Sequence, residues 1–164
     1  MYLEVAAPVV NSVVEGFNGT IFAFGQTGSG KTHTVHGTAD WPGIVPRAVQ
    51  QIFSAIHEGA FEQSLIRVSF LEIYNEVVRD LLVGKNQAKL DVREEPGGAP
   101  FVQGLTWLTV KHRSEVSKAL EVCSGQCRSS KLACILSVLR AALNLCPHKG
   151  NPTAAECRPV TCLA

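Results

Sequence analysis

Thr20-Ile21-Phe22-Ala23-Phe24-Gly25-Gln26-Thr27-Gly28-Ser29-Gly30-Lys31-Thr32 is the stretch that decides the fold. Its last eight residues satisfy G-x-x-x-x-G-K-[ST] at every fixed position. Glycines let the backbone turn sharply and approach a ligand without a side-chain clash. Successive N–H groups can then converge on phosphate oxygens. Lys31 brings a positive point charge to the β- and γ-phosphates, and the Thr32 hydroxyl is a hard oxygen donor suited to Mg2+. The loop should open into a helix, whose N-terminal dipole also favours an anion. Thr20 to Phe24 is β-branched and aromatic and predicts a short buried parallel strand. The alternative, a Gly/Ser-rich turn that binds nothing, lacks a reason for a strand directly in front of it.

Working outward, helical and strand patterns alternate. Val5 to Glu15 carries apolar residues at helical spacing, with Gly16 as a stop. Val45, Ala48, Val49, Ile52, Phe53 and Ile56 share one face of a helix over 45–57 that Gly59 ends. Leu65 to Ile73 reads as a central strand, apolar on both faces. Asn75 is placed to cap a short helix reaching Leu82. Leu90–Arg93, Phe101–Val102 and Leu105–Val110 read as shorter strands, and Ser114 as the cap of a helix through Val122. Such alternation around a phosphate-binding loop predicts an α/β fold, a P-loop NTPase-like layered sheet with flanking helices.

With 164 residues, 46% hydrophobic and 18% charged, the chain is one domain's worth of sequence able to bury a core. A net charge of +1 gives no electrostatic case for nucleic acid, and no apolar run is long enough to span a bilayer. Met1-Tyr2-Leu3-Glu4 lacks the basic start of a secretory signal, so an intracellular protein is expected. The averages conceal a break. All six cysteines lie at or after Cys123. Residues 1–122 carry 10 Lys and Arg against 13 Asp and Glu, and residues 123–164 carry 5 against 1. The tail therefore reads as a different sequence joined to the first part, as an altered transcript end would produce. Leu132, Ile135, Leu136, Leu139, Ala142 and Leu143 form a helical stripe, which predicts a helix over 132–145, with disorder from Cys146 onward. Cys123, Cys127, Cys134, Cys146, His148, Cys157 and Cys162 offer enough sulfur and nitrogen for zinc, but lack the tight C-x2-C spacing of structural sites.

The residues around the loop carry a closer likeness. Gly16-Phe17-Asn18-Gly19 through His33-Thr34 resembles the nucleotide-binding segment of the kinesin motor domain. Gly43-Ile44-Val45-Pro46-Arg47-Ala48, Ser69-Phe70-Leu71-Glu72-Ile73-Tyr74-Asn75-Glu76, Asp80-Leu81-Leu82 and Val102-Gln103-Gly104-Leu105-Thr106 resemble further kinesin signatures in the family's order. The likeness covers about residues 5 to 122 and is nearest to the centromere-associated subgroup. It implies an incomplete kinesin motor core that binds ATP with Mg2+ through Gly25, Gln26, Thr27, Gly28, Ser29, Gly30, Lys31, Thr32 and His33, with Thr32 on the metal. It also implies microtubules as partner and a cytoplasmic, cytoskeletal location. The family's R-x-R-P, N-x-x-S-S-R-S-H and D-L-A-G-S-E motifs do not occur, and Arg128-Ser129-Ser130-Lys131 matches the second in composition only. Hydrolysis needs a positioned water and donors aimed at the transition-state charge, so no catalytic residue is assigned. A kinesin motor fragment and a non-motile nucleotide-binding fragment both remain open, as does a poorly folded remnant whose missing strands leave apolar sheet edges exposed.

Single residues have two readings. His33 matches a position that stacks on adenine in kinesins, or is a solvated helix histidine. Glu72 and Asn75 read as hydrogen-bonding residues at a strand-to-helix corner rather than as catalytic groups, and Tyr74 as a core aromatic. His36 and His112 have no spaced partners and read as surface residues. Asp40-Trp41-Pro42-Gly43 follows no strand and reads as a turn.

Overall fold

The computed structural model describes residues 1–59, 63–84, 89–94, 96, 100–126, 135–144 and 160–163. A π-helical turn, Tyr2–Ala6, leads into helix α1 (Ala7–Val14). Strand β1 (Gly19–Thr20), the glycine loop and helix α2 (Lys31–Val35) follow, then helix α3 (Ile44–His57). Next come β2 (Gln63–Tyr74), β3 (Val77–Asp80), β4 (Asp91–Arg93), β5 (Phe101–Gln103), β6 (Leu108–Val110) and helix α4 (Arg113–Gln126). Strands β7 (Ile135–Asn144) and β8 (Val160–Leu163) complete the order.

β2 organises the main sheet. Its run Ile66, Val68, Ser69, Phe70, Leu71 and Glu72 is buried, so both of its faces are covered, as expected of a central strand. β6 and β3 share one of its edges, and β7 runs antiparallel along the other from Gln63 to Glu72. The order is β1-β8-β7-β2-β3, with β1 parallel to β8; β4 and β5 form a separate two-stranded sheet. The expected face of α3 (Val45, Ala48, Val49, Ile52, Phe53) joins Ile66, Val68 and Phe70 of β2, Val10 of α1, and Val116, Ala119 and Cys123 of α4 in one core. Gln51 fastens α1 to α3: its amide donates to Asn11 Oδ1 (2.6 Å) and it accepts from the Tyr2 hydroxyl (2.6 Å). Helices and sheet packed around this core form the α/β class of fold that the sequence predicts. No helix among the described residues is long and apolar enough to cross a membrane.

Several expectations need correction. The strand before the loop covers only Gly19–Thr20, and Phe22 and Phe24 are 80% and 95% exposed. Among the described residues no strand pairs with 21–24, so nothing covers these rings. No helix follows Asn75. Asn75 and Glu76 both have positive φ (49° and 60°) and link β2 to β3 directly. This is a type I′ hairpin turn, whose twist matches that of the flanking strands. Glu72 accordingly sits inside β2, in register with Arg79 of β3, and Tyr74 is 44% exposed near the strand end. α4 starts one residue before Ser114, and Glu115 caps it, accepting the Lys111 and His112 N–H groups (2.7 and 3.4 Å). Within the helix expected over 132–145, residues 135–144 form strand β7, and within the stretch expected to be disordered from Cys146, residues 160–163 form β8. The sheet edge that missing strands were expected to leave open is therefore paired beside β2. Residues 127–134 and 145–159, with most of the tail cysteines, lie outside the described residues.

The composition break at Cys123 falls inside α4, where this residue is fully buried and its thiol faces the Leu81 carbonyl at 3.6 Å. Asp80 ties this region together. Its carboxylate accepts the N–H groups of Leu82 (2.8 Å) and Thr106 (2.7 Å), joining the end of the hairpin to the approach to β6. Asp80→Ala strands both donors and should lower the unfolding free energy by about 1–3 kcal/mol, read from a urea titration. An unchanged midpoint would show that neither bond contributes.

Candidate phosphate-binding loop

The loop from Gly25 to Gly30 has the folded shape its sequence requires. Gly28 and Gly30 sit at φ +82° and +89°, a region that costs an L-residue about 1–2 kcal/mol. Nothing lies within 4 Å of where a Cβ would stand at either, so conformation and not crowding demands glycine there. A tight turn within the loop is closed by Ser29 N–H to the Gln26 carbonyl (3.2 Å), and α2 begins at once, with Thr34 N–H on the Gly30 carbonyl (2.8 Å).

Lys31 folds back over the loop. Its ammonium donates to the carbonyls of Gly25 (2.6 Å) and Gln26 (2.7 Å). Two of its three protons are thereby spent on holding the loop closed, and the third remains for another acceptor. Among the described residues no acceptor takes the backbone N–H groups of Thr27, Gly28, Gly30, Lys31, Thr32 or His33. Gln26 through Gly30, with Thr32 and His33, are exposed. Six such donors and one ammonium lie on an exposed loop, with open space beside Gly28 and Gly30. An anion of several oxygens meets that donor set well.

The structure brings the nine expected residues together on this loop and the first turn of α2. Thr32 and His33 point their chemistry to solvent, the second as either reading of it requires. His36, expected at the surface, is partly buried at the end of α2, and its carbonyl accepts Gly43 N–H (3.2 Å). The turn expected at Asp40-Trp41-Pro42-Gly43 lies two residues earlier, over 38–41, with Thr38 N–H on the Trp41 carbonyl (2.9 Å) and Pro42 bridged to Gly37. Among the described residues no group of three His, Cys, Asp or Glu could hold a metal without help, and the zinc reading of the tail lies outside them. A groove lined by Gln50, Phe53, Ser54, His57, His112 and Arg113 shares no residue with the loop. Sequence reasoning did not see the Lys31 clasp on Gly25 and Gln26, since carbonyl direction has no signature in residue type.

The family model for the kinesin motor domain matches residues 1–135. The chain belongs to the kinesin motor domain family. Kinesin-like protein KIN-7M, chloroplastic, of Arabidopsis thaliana is 50% identical over 105 residues, covering 64% of this chain and 10% of that protein. Centromere-associated protein E of Homo sapiens is 47% identical over 107 residues, covering 65% of this chain and 4% of that protein. In three dimensions the chain is similar to a KIF14 dimer solved in its two-heads-bound state with AMP-PNP in complex with a microtubule. The TM-score is 0.79 at 29% identity, over 99% of this chain and 49% of that one. The chain thus spans a tenth or less of these two curated relatives and about half of that solved kinesin.

Burial lowers the His36 pKa below the ordinary imidazole value of 6.5 by disfavouring the charged ring. The unfolded chain then binds the proton more readily than the folded one. Stability is full above pH 6.5 and falls as the pH drops through the folded value. Urea midpoints at pH 7.5 and pH 5 should differ less for His36→Gln than for the natural chain. Equal differences would remove His36 from the acid response.

Proposed function

We propose that this chain binds ATP with Mg2+ at Gly25–Thr32, as the nucleotide-binding part of a kinesin motor. The observation that carries this is the closed loop with six unclaimed N–H groups and the Lys31 ammonium. Kinesin motor domains bind nucleotide, and the KIF14 structure was solved with AMP-PNP. The loop N–H groups would receive the phosphate oxygens while Lys31 meets their charge with its remaining proton. Thr32, exposed on the first turn of α2, would hold Mg2+, which when bound neutralises charge on the β- and γ-phosphates. His33 lies beside it and would face the base. Gln26 and Thr27 would act through their backbones.

Binding is the proposed activity of these residues, and turnover is not assigned to them. The chain lacks both family segments that position the attacking water and read the γ-phosphate. Microtubules are the proposed partner of the motor to which this sequence corresponds, and the cytoplasmic microtubule network its proposed location. The reading favoured for this chain is a nucleotide binder without motility.

Calorimetric titration of the purified chain with ATP and Mg2+ should show one site. Lys31→Ala should weaken it by about tenfold to a hundredfold, the equivalent of one charged hydrogen-bonding group. A folded natural chain that takes up no ATP would contradict the proposal. Microtubules should not accelerate ATP turnover by this chain; acceleration would assign it the full motor activity.

A further inference from the structure

We propose that the carboxy-terminal strands position the phosphate-binding loop: β8 supplies the ladder that holds β1, and β7 fastens β8 to β2. β1 has two residues and, among the described residues, one strand partner, β8, through Gly19↔Cys162 and Thr20↔Leu163. β8 in turn pairs with β7 from Val138↔Leu163 to Ala141↔Val160. β7 pairs with β2 over ten residues, from Gln63↔Asn144 to Glu72↔Ile135. A continuous set of backbone ladders therefore runs from the central strand to the residue five positions before Gly25.

Among the described residues no other ladder does this. Residues 21–24 pair with no strand among those described, and Phe22 and Phe24 stand in solvent. On its far side the loop ends in a helix of only five residues. α1 covers one face of β1, where Val9 and Val13 press on Gly19, but a face contact sets no register along the strand. The register of β1, and with it the take-off of the loop, is set by β8.

The tail is suited to this part by backbone alone. Ile135–Asn144 and Val160–Leu163 contain neither proline nor glycine, whereas Pro147, Gly150, Pro152 and Pro159 all lie between them. Proline within either strand would remove a ladder bond. The family's sequence pattern stops at residue 135, yet the likeness to the KIF14 structure covers 99% of the chain and so continues through these strands. A ladder asks for main-chain groups in register, so it tolerates a tail whose side chains follow no family motif.

Hydrogen exchange of the full chain tests this. In the natural protein the amides of 19–21 and 160–163 should open with one free energy, below that of β2. Thr161→Pro and Cys162→Pro delete successive N–H groups, which point to opposite edges of β8, so between them they cut the ladders to β7 and to β1. Each should raise exchange at 19–21 and at the Ser29 and Thr34 amides by about tenfold or more, with α3 protection retained. Unchanged exchange at 19–21 beside a frayed β8 would overturn the proposal. Should a variant unfold altogether, the natural chain decides alone, since unequal opening energies at 19–21 and 160–163 would overturn it too. Its consequence for ligand rests on the proposed function: both variants should bind ATP about tenfold more weakly. A natural chain that binds no ATP would remove that function and leave the exchange result to judge the positioning role.

Discussion

The backbone ladder on β2 is the constraint from which the rest of this structure follows. A strand buried on both faces cannot leave its N–H and C=O groups unpaired, because no water reaches them to compensate. β3 and β6 meet that demand on one edge and β7 on the other. Helix α3 then has a fixed apolar surface to cover, and α1 and α4 dock against α3. The phosphate-binding loop hangs from this frame through β1 and β8.

The same demand explains why the tail is read wrongly from its periodicity. Leu132, Ile135, Leu136, Leu139, Ala142 and Leu143 fit a helix as well as any segment of the chain. A short apolar run, however, fits an interior strand equally well, and the open edge of β2 settles the choice. Long-range pairing of residues as far apart as Glu72 and Ile135 or Gln63 and Asn144 leaves no trace in local spacing. The hairpin at Asn75-Glu76 escaped for a related reason. Its positive φ values fall on Asn, which tolerates them, and on Glu, which gives no turn signal. By contrast, the face of α3 and the loop were legible, because each rests on local rules: 3.6-residue spacing for the first, and glycine at positive φ for the second. Phe22 and Phe24 were expected to be buried because their residue types suit a strand, but burial depends on neighbours that the described residues do not supply.

The site shows how much a loop can do with backbone alone. Its anion-seeking character comes from six N–H groups and one ammonium, and the lysine also serves as a clasp on the loop's own carbonyls. That double duty keeps the loop folded and the charge at its mouth. Such a site has the means to bind a polyphosphate and, on its own, none of the means to orient a water molecule against it. Family membership and local chemistry therefore have different reach: the first relates the chain to kinesin motor domains, the second supports the proposed nucleotide site.

The arrangement of residues 135–144 against β2 is the most direct test of the account. In solution NMR, alternate register pairs such as Val68–Leu139 and Phe70–Ser137, or their immediate neighbours, should show cross-strand Hα–Hα contacts. Helical contacts three residues apart along 135–144, with none to β2, would contradict it and leave both the sheet and the support of the loop unexplained.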